Sequence, residues 1–261
     1  MRIYIITMDD PIQTYRLIKE IIDAKKDKIV GLAIPKGDRL TLSKGKSKIV
    51  YVLSLLLIMG PWHFLISSFR TIAFKIKKKL FSLGLSKNPS IFAYAESNEI
   101  PARYITTANS LKFRKYLETL DLDIIINQSQ SIIKKELLSI PRIGVINRHN
   151  ALLPKNRGRL TPFWVVFNQE KETGVSIHFV EEGIDSGDII VQKRFPVEKK
   201  DNFNSVVDKN YNLASKAMIE AIDLLEGGLT DFIPNDDDKA TYNTTPTFKQ
   251  ALTYRKNRIF N

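Results

Sequence analysis

Asn147 and His149 stand two residues apart at the end of an apolar run, in "IGVINRHN". On an extended chain they face one side and Arg148 faces the other. An imidazole titrates near neutral pH and can move protons. A carboxamide can donate to an oxygen that gains negative charge. The same two residues could also do no more than close a strand end. The acidic turn "EEGIDSGD" downstream shifts the balance towards chemistry, because Asp185 can hold an imidazolium or take a proton. Asp188 in the same turn reads as a brace. His178 reads as a structural histidine of an alternating strand, and His63 lies in apolar surroundings away from any such grouping.

The elements that must position these residues are legible in outline. "RIYIITM" predicts a first strand, and "PIQTYRLIKEIIDAKK" a helix with Pro11 in its first turn. "KIVGLAIP" predicts a second strand, so the chain opens β-α-β, as parallel sheets do. Further strands are expected at "ARYIT", "DIIINQS", "IGVIN", "TGVSIHFV" and from Ile189 to Val197. Helices are expected at "NPSIFAYAESNEIP", "TANSLKFRKYLETL", "KKELLSIP" and "TPFWVVFNQ", with a long one closed by Gly227 and Gly228. The expected fold class is α/β, Rossmann-like, with helices on both faces of a mostly parallel sheet. Two strands, "DIIINQS" and "IGVIN", turn polar at their carboxyl ends, where ligand crevices of open parallel sheets lie. The expected organisation is a catalytic unit over residues 1–200, a packed helix over 201–228 and a tail over 229–261.

The chain of 261 residues carries 40 Lys+Arg against 28 Asp+Glu and no cysteine. It therefore has no disulfide, no thiolate metal site and no cysteine nucleophile. Nine of its twelve net positive charges fall between residues 36 and 79, so the basic character belongs to one segment. That segment is an insertion of roughly 36–84. It holds residues 49–69, which are free of charge when His63 is neutral and interrupted by Gly60-Pro61. Its length is near that of a spanning helix. The break argues instead for two short helices packed on the domain, at a homodimer contact, or on an anionic membrane surface with Lys75–Lys79 towards the headgroups. The amino-terminal "MRIYIITMDD" reads as a strand and not as a signal peptide. The expected location is cytoplasmic, with peripheral membrane contact through residues 49–79. Nucleic acid is not an expected partner, because the insertion is apolar rather than aromatic-basic in character.

"INRHNALLPKNRG", followed by a proline in a short helix and then "ETGVSIHFVEEGIDSGDII", resembles the catalytic half of the folate-dependent formyltransferases. The shared pattern is Asn-x-His, Leu-Leu-Pro and an Asp in a glycine-flanked turn. Here these are Asn147, His149, Leu152-Leu153-Pro154 and Asp185 between Gly183 and Gly187. The resemblance is close over residues 141–197. It implies a formyl donor, 10-formyltetrahydrofolate, and no metal. It implies Asn147, His149 and Asp185 as catalytic residues, with the donor against Gln130, Ser131, Ile132 and Gly183. Arg157 and Arg159, in "KNRGR", are implied beside the substrate cleft as phosphate contacts.

The resemblance spans enzymes that formylate methionyl-tRNA, glycinamide ribonucleotide and nucleotide-linked amino sugars. The loop after the first strand, "TMDDPIQ", has no glycine and two acids, which disfavours a phosphate there. The stretch after the long helix is short for a second β-domain. The expected substrate is the amine of a nucleotide-linked sugar, as in surface-polysaccharide assembly. The alternatives are a methionyl-tRNA formyltransferase-like enzyme without the tRNA-binding domain, and a non-catalytic member.

Overall fold

The computed structural model describes residues 1–12, 14–36, 47–86 and 89–259. Arg39, Lys44 and Lys46 of the basic segment lie outside them. The central strand β1 (Ile3–Thr7) is buried along its whole length, as expected of a strand covered on both faces. Strand β2 (Ile29–Pro35) pairs with one side of it and β4 (Ile124–Gln128) with the other, both parallel. β3 (Ala102–Ile105) extends the sheet beyond β2, and β5 (Gly144–His149) extends it beyond β4. β7 (Glu172–Phe179) then runs antiparallel to β5, and β8 (Ile189–Pro196) antiparallel to β7. The order is β3-β2-β1-β4-β5-β7-β8, a mostly parallel sheet.

Helices cover both faces. α1 (Tyr15–Lys25) buries Leu17, Ile18, Ile21 and Ile22, spaced to form one stripe. It shares a core with α4 (Ile91–Ser97) and α8 (Phe203–Glu226), which packs Ala214, Ala217, Met218 and Ala221 against Val175 and Ile177. The opposite face is covered by α5 (Leu111–Glu118) and α6 (Lys135–Leu138), through Phe113, Leu117 and Leu137. Helix α1 begins at Tyr15 and not beside Pro11. The Asp10 carboxylate accepts from the Ile12 N–H at 2.6 Å and the Thr14 hydroxyl donates to the Met8 carbonyl, so the intervening residues fold as a separate turn.

The apolar insertion forms two helices, α2 (Lys48–Met59) and α3 (Pro61–Ser82), bent by 120° at Gly60. Gly60 has φ +79°, and Pro61 supplies the first residue of α3, where its missing N–H costs nothing. Among the described residues no single helix is long and apolar enough to cross a membrane, although the bent pair passes by length and composition. α2 is anchored by Ile58, which packs with Phe163 and Trp164 of α7 (Thr161–Phe167) and with Ala251 and Tyr254 of α9 (Phe248–Ile259). The stretch after α8 is therefore folded onto the body. Two short strands complete it: β6 (Arg157–Gly158) pairs with β9 (Tyr242–Asn243).

Candidate active site

β5 delivers Asn147 and His149 to the carboxyl edge of the sheet. Both project to one face, and Arg148 to the other, where its guanidinium lies over the Tyr211 ring of α8. Burial lowers the Arg148 pKa from its ordinary value.

The Asn147 carboxamide is held by its oxygen. Gln128 Nε2 donates to Asn147 Oδ1 at 2.8 Å, and the Arg148 backbone N–H donates to the same atom at 2.8 Å. A backbone N–H can only donate, which fixes that atom as oxygen. Asn147 Nδ2 is left without a protein acceptor among the described residues, as a preset hydrogen-bond donor at the strand end. Gln128 is itself oriented, because its Nε2 also donates to the Asn127 carbonyl at 3.0 Å. β4 and β5 are in register, Asn127 opposite Asn147, and this brings the two polar strand ends together.

His149 is 6% exposed. Its Nε2 lies 2.7 Å from the Asn156 carbonyl, which can only accept, so Nε2 carries a hydrogen. Nδ1 faces Asp185 Oδ2 at 3.4 Å. A proton on Nδ1 completes that contact, and its loss leaves a lone pair towards the carboxylate. Asp185 Oδ2 accepts from the Gly158 N–H at 2.8 Å. Gly158 has φ +103°, and a Cβ there would lie 2.1 Å from the Asn243 carbonyl oxygen, so only glycine presents this N–H.

His178 sits on the same face, opposite Asn147 on the paired strand. Its Nε2 lies 3.8 Å from Asp185 Oδ1, and its Nδ1 donates to the Phe179 carbonyl at 2.7 Å. Burial, with the neighbouring His149 adding to it, pushes the His178 pKa down to about 4 despite Asp185.

The Asp185 turn is braced from the far end of the chain. Asn235 Nδ2 donates to the carbonyls of Asp185 and Gly187, each at 2.8 Å. The Asn235 N–H reaches Asp188 Oδ1 at 3.4 Å, in keeping with a bracing Asp188. Arg157 corrects its expected role as a phosphate contact. Its side chain is fully buried, donating to Asp237 and the Tyr242 hydroxyl through Nη1 and to both oxygens of Asn235 through Nη2. A guanidinium so occupied is a clamp between β6 and the stretch 235–242. Arg159, two residues on, is exposed.

The loop after β4 is shaped by Asn127, whose Oδ1 accepts from the Ser129 N–H and hydroxyl. The Ser131 N–H then bonds Ser129 Oγ at 3.2 Å. Ile132 on this loop is 85% exposed, and Ile184 on the Asp185 turn is 63% exposed. Each is an apolar surface next to a polar site, of the kind a flat heterocycle covers. A Cβ on Gly183 would lie 2.4 Å from Ser186 Oγ, so the turn is closed against larger residues there. Among the described residues no group of His, Asp and Glu is arranged to hold a metal ion.

Sequence reasoning missed the hold of Gln128 on Asn147. The strand-end pair "INQS" and "INRHN" carried that signal. For Asn235, some fifty residues from Asp185, the sequence holds no signal.

Known proteins resemble this chain in sequence and in fold. The chain is 32% identical over 155 residues to the methionyl-tRNA formyltransferase of Syntrophus aciditrophicus, covering 59% of this chain and 50% of that protein. It is 37% identical over 127 residues to that of Kosmotoga olearia, covering 48% and 41%. It thus spans about half the length or less of these curated relatives. Among solved structures, glycinamide ribonucleotide transformylase 1 of Symbiobacterium toebii superposes with a TM-score of 0.60 at 16% identity, covering 90% of this chain and 94% of that one. An N-formyltransferase of Helicobacter canadensis, solved with folinic acid and dTDP-3-aminofucose, gives 0.53 at 19% identity, covering 94% and 71%. The formyl transferase family model matches residues 75–222, more than half of the chain and inclusive of Asn147, His149 and Asp185; the chain belongs to the formyl transferase family.

Proposed function

We propose that this protein transfers the formyl group of 10-formyltetrahydrofolate to the primary amine of a nucleotide-linked amino sugar, in the cytoplasm. The observation that carries formyl transfer is the Asn147 carboxamide, anchored by its oxygen and left with a free donor beside the His149–Asp185 pair. The donor supplies an activated one-carbon unit at the formyl level. Asn147 Nδ2 donates to the formyl oxygen as it becomes an oxyanion, when the amine adds. Asp185 takes the proton that the amine sheds, directly or through a water. As the bond from the formyl carbon to the donor nitrogen breaks, that nitrogen takes a proton back from the Asp185–His149 pair, while the Nε2 contact to Asn156 holds the imidazole ring in place. Gln130, Ser131, Ile132 and Gly183 line the donor side, and Arg159 serves the anionic part of the substrate.

The sugar substrate is supported by the fold shared with sugar N-formyltransferases. Glycinamide ribonucleotide is disfavoured by the loop after β1. Its Asp10 carboxylate takes the Ile12 N–H, and its Asp9 is paired with Lys78 and the Ile91 N–H. A second reading, formylation of methionyl-tRNA, is favoured by the sequence identity to those enzymes.

The test is incubation with 10-formyltetrahydrofolate and, separately, dTDP- and UDP-linked amino sugars, glycinamide ribonucleotide and methionyl-tRNA. Formylation of a nucleotide sugar alone is expected, with a loss of a hundredfold or more in His149→Ala and Asp185→Ala. Formylation of methionyl-tRNA instead overturns the sugar reading. Full rates in both variants overturn the site.

A further inference from the structure

Helix α3 carries an apolar stripe that nothing among the described residues covers. Trp62, Leu65, Phe69, Ile72 and Ile76 are 70%, 60%, 72%, 55% and 54% exposed, and Leu83 just past the helix is 62% exposed. Their spacing of three and four residues puts them on one face of a helix. At 1.5 Å per residue the stripe is about 30 Å long. A contiguous exposed patch of this kind marks a contact surface.

The charges around it specify the contact. Residues 48–82 contain no Asp or Glu. At about 100° per residue, Lys75 and Lys79 fall on one shoulder of the stripe and Arg70 and Lys77 on the other; all four are exposed. Lys78, roughly opposite the stripe, is turned inward to Asp9. The helix is thus pinned with its apolar face outward and flanked by cations alone. A second copy meeting this face would bring like charges together with no carboxylate on either helix to answer them.

The stripe begins at a cleft of about 380 Å³ at the α2–α3 bend, lined by Trp62, His63, Asn204, Arg255 and Arg258 among others. Arg255 is ion-paired to no carboxylate among the described residues, and Arg258 only donates to the Lys200 carbonyl at 3.1 Å. Two guanidiniums beside an exposed tryptophan suit a phosphodiester at a water–hydrocarbon boundary.

We propose that α3 lies in the surface of an anionic phospholipid bilayer, its stripe among the acyl chains, its lysines at the headgroups, and a lipid phosphate in the cleft beside Arg255. The 120° bend keeps α2 on the protein and makes this a helix that rests on the bilayer without crossing it. The inference is independent of the amine that the enzyme formylates.

The test is flotation of the full-length chain with vesicles of phosphatidylcholine alone or mixed equally with phosphatidylglycerol. At low salt the protein should float with the mixed vesicles and bind neutral ones at least tenfold more weakly, with binding lost as salt rises. Phe69→Glu/Ile76→Glu, both exposed, should keep the wild-type circular dichroism spectrum and bind at least tenfold more weakly. Arg255→Gln should bind several-fold more weakly. A wild-type chain that stays in the soluble fraction overturns the proposal, as does a double variant that floats like wild type. Light scattering that shows a dimer, made monomeric by the double variant with no vesicle binding in either, assigns the stripe to a second copy and also overturns it.

Discussion

The Asn147 carboxamide can turn about its side-chain bond, and two donors to its oxygen, Gln128 Nε2 and the Arg148 N–H, oppose the turn. Replacing Asn147 by Ala removes the oxyanion donor, and a loss of about a hundred- to a thousandfold in kcat is expected, with unchanged melting. Gln128→Leu keeps Asn147 but leaves the Arg148 N–H as the one remaining donor to its oxygen, so the amide is held more loosely. We expect kcat to fall about tenfold with little change in the KM of the amine, as for a positioning residue read by steady-state kinetics. His178 gives a stability test. Its folded pKa of about 4 lies below the free imidazole value of about 6.5. Between those values the unfolded chain binds a proton that the folded chain refuses, so stability falls as pH drops through this window. The full contribution is on the order of 3 kcal/mol. Urea unfolding at pH 7 and pH 4.5 should show a smaller loss in His178→Leu than in wild type. Asn147, His149 and Asp185 were legible in the sequence because their types and spacing are chemical. The roles of Gln128 and His178 depend on which strands become neighbours; for Gln128 the two polar strand ends hinted at it, and for His178 nothing in the local sequence does.

At the scale of elements, the site rests on two-residue strands that no periodicity could announce. β6 presents the Gly158 N–H to Asp185 only because Asn243 of β9 lies against it. Gly158→Ala should break that pairing, lowering both melting temperature and kcat, whereas Gly228→Ala, with no atom within 4 Å of its Cβ, should leave kcat unchanged. The two arginines of this loop part ways. Arg157→Met removes several buried hydrogen bonds, and a destabilisation of about 2–4 kcal/mol is expected by denaturant titration. Arg159→Gln should leave the melting temperature unchanged and raise the KM of an anionic amine substrate several-fold. The sequence treats these arginines alike, since each is a cation in the same loop. What separates them is a stretch eighty residues away that buries one and not the other. The start of α1 was misplaced for a related reason: Asp10 captures a backbone N–H that a helix starting beside Pro11 would have left free.

For the molecule as a whole, hydrophobic patterning was enough for the sheet, since β1 and β2 are apolar runs and β4 and β5 begin as such, a pattern that a covered parallel sheet buries. It was also enough for the break at Gly60. It could not show that residues 229–259 close back over the site, because the bonds involved are polar and specific to Asn235, Asp237 and Tyr242. Asn235→Ala should therefore leave circular dichroism unchanged, speed amide hydrogen exchange across residues 183–188, and lower kcat; unchanged exchange there would remove Asn235 from the account. The Arg157–Asn235 clamp also bears on the order in which a ribosome makes this protein. All three residues of the chemical set have been polymerised by position 185, and the sheet that carries two of them can pair soon after. The loop bearing the third is tied to the β7–β8 hairpin by the Phe179 N–H and the Asp188 carbonyl, but it lacks its Asn235 brace until residues 235–243 have cleared the exit tunnel. The nascent chain thus holds Asn147, His149 and Asp185 before the brace on the Asp185 turn exists, and under the proposed function formyl transfer is expected only once residues 235–243 have emerged.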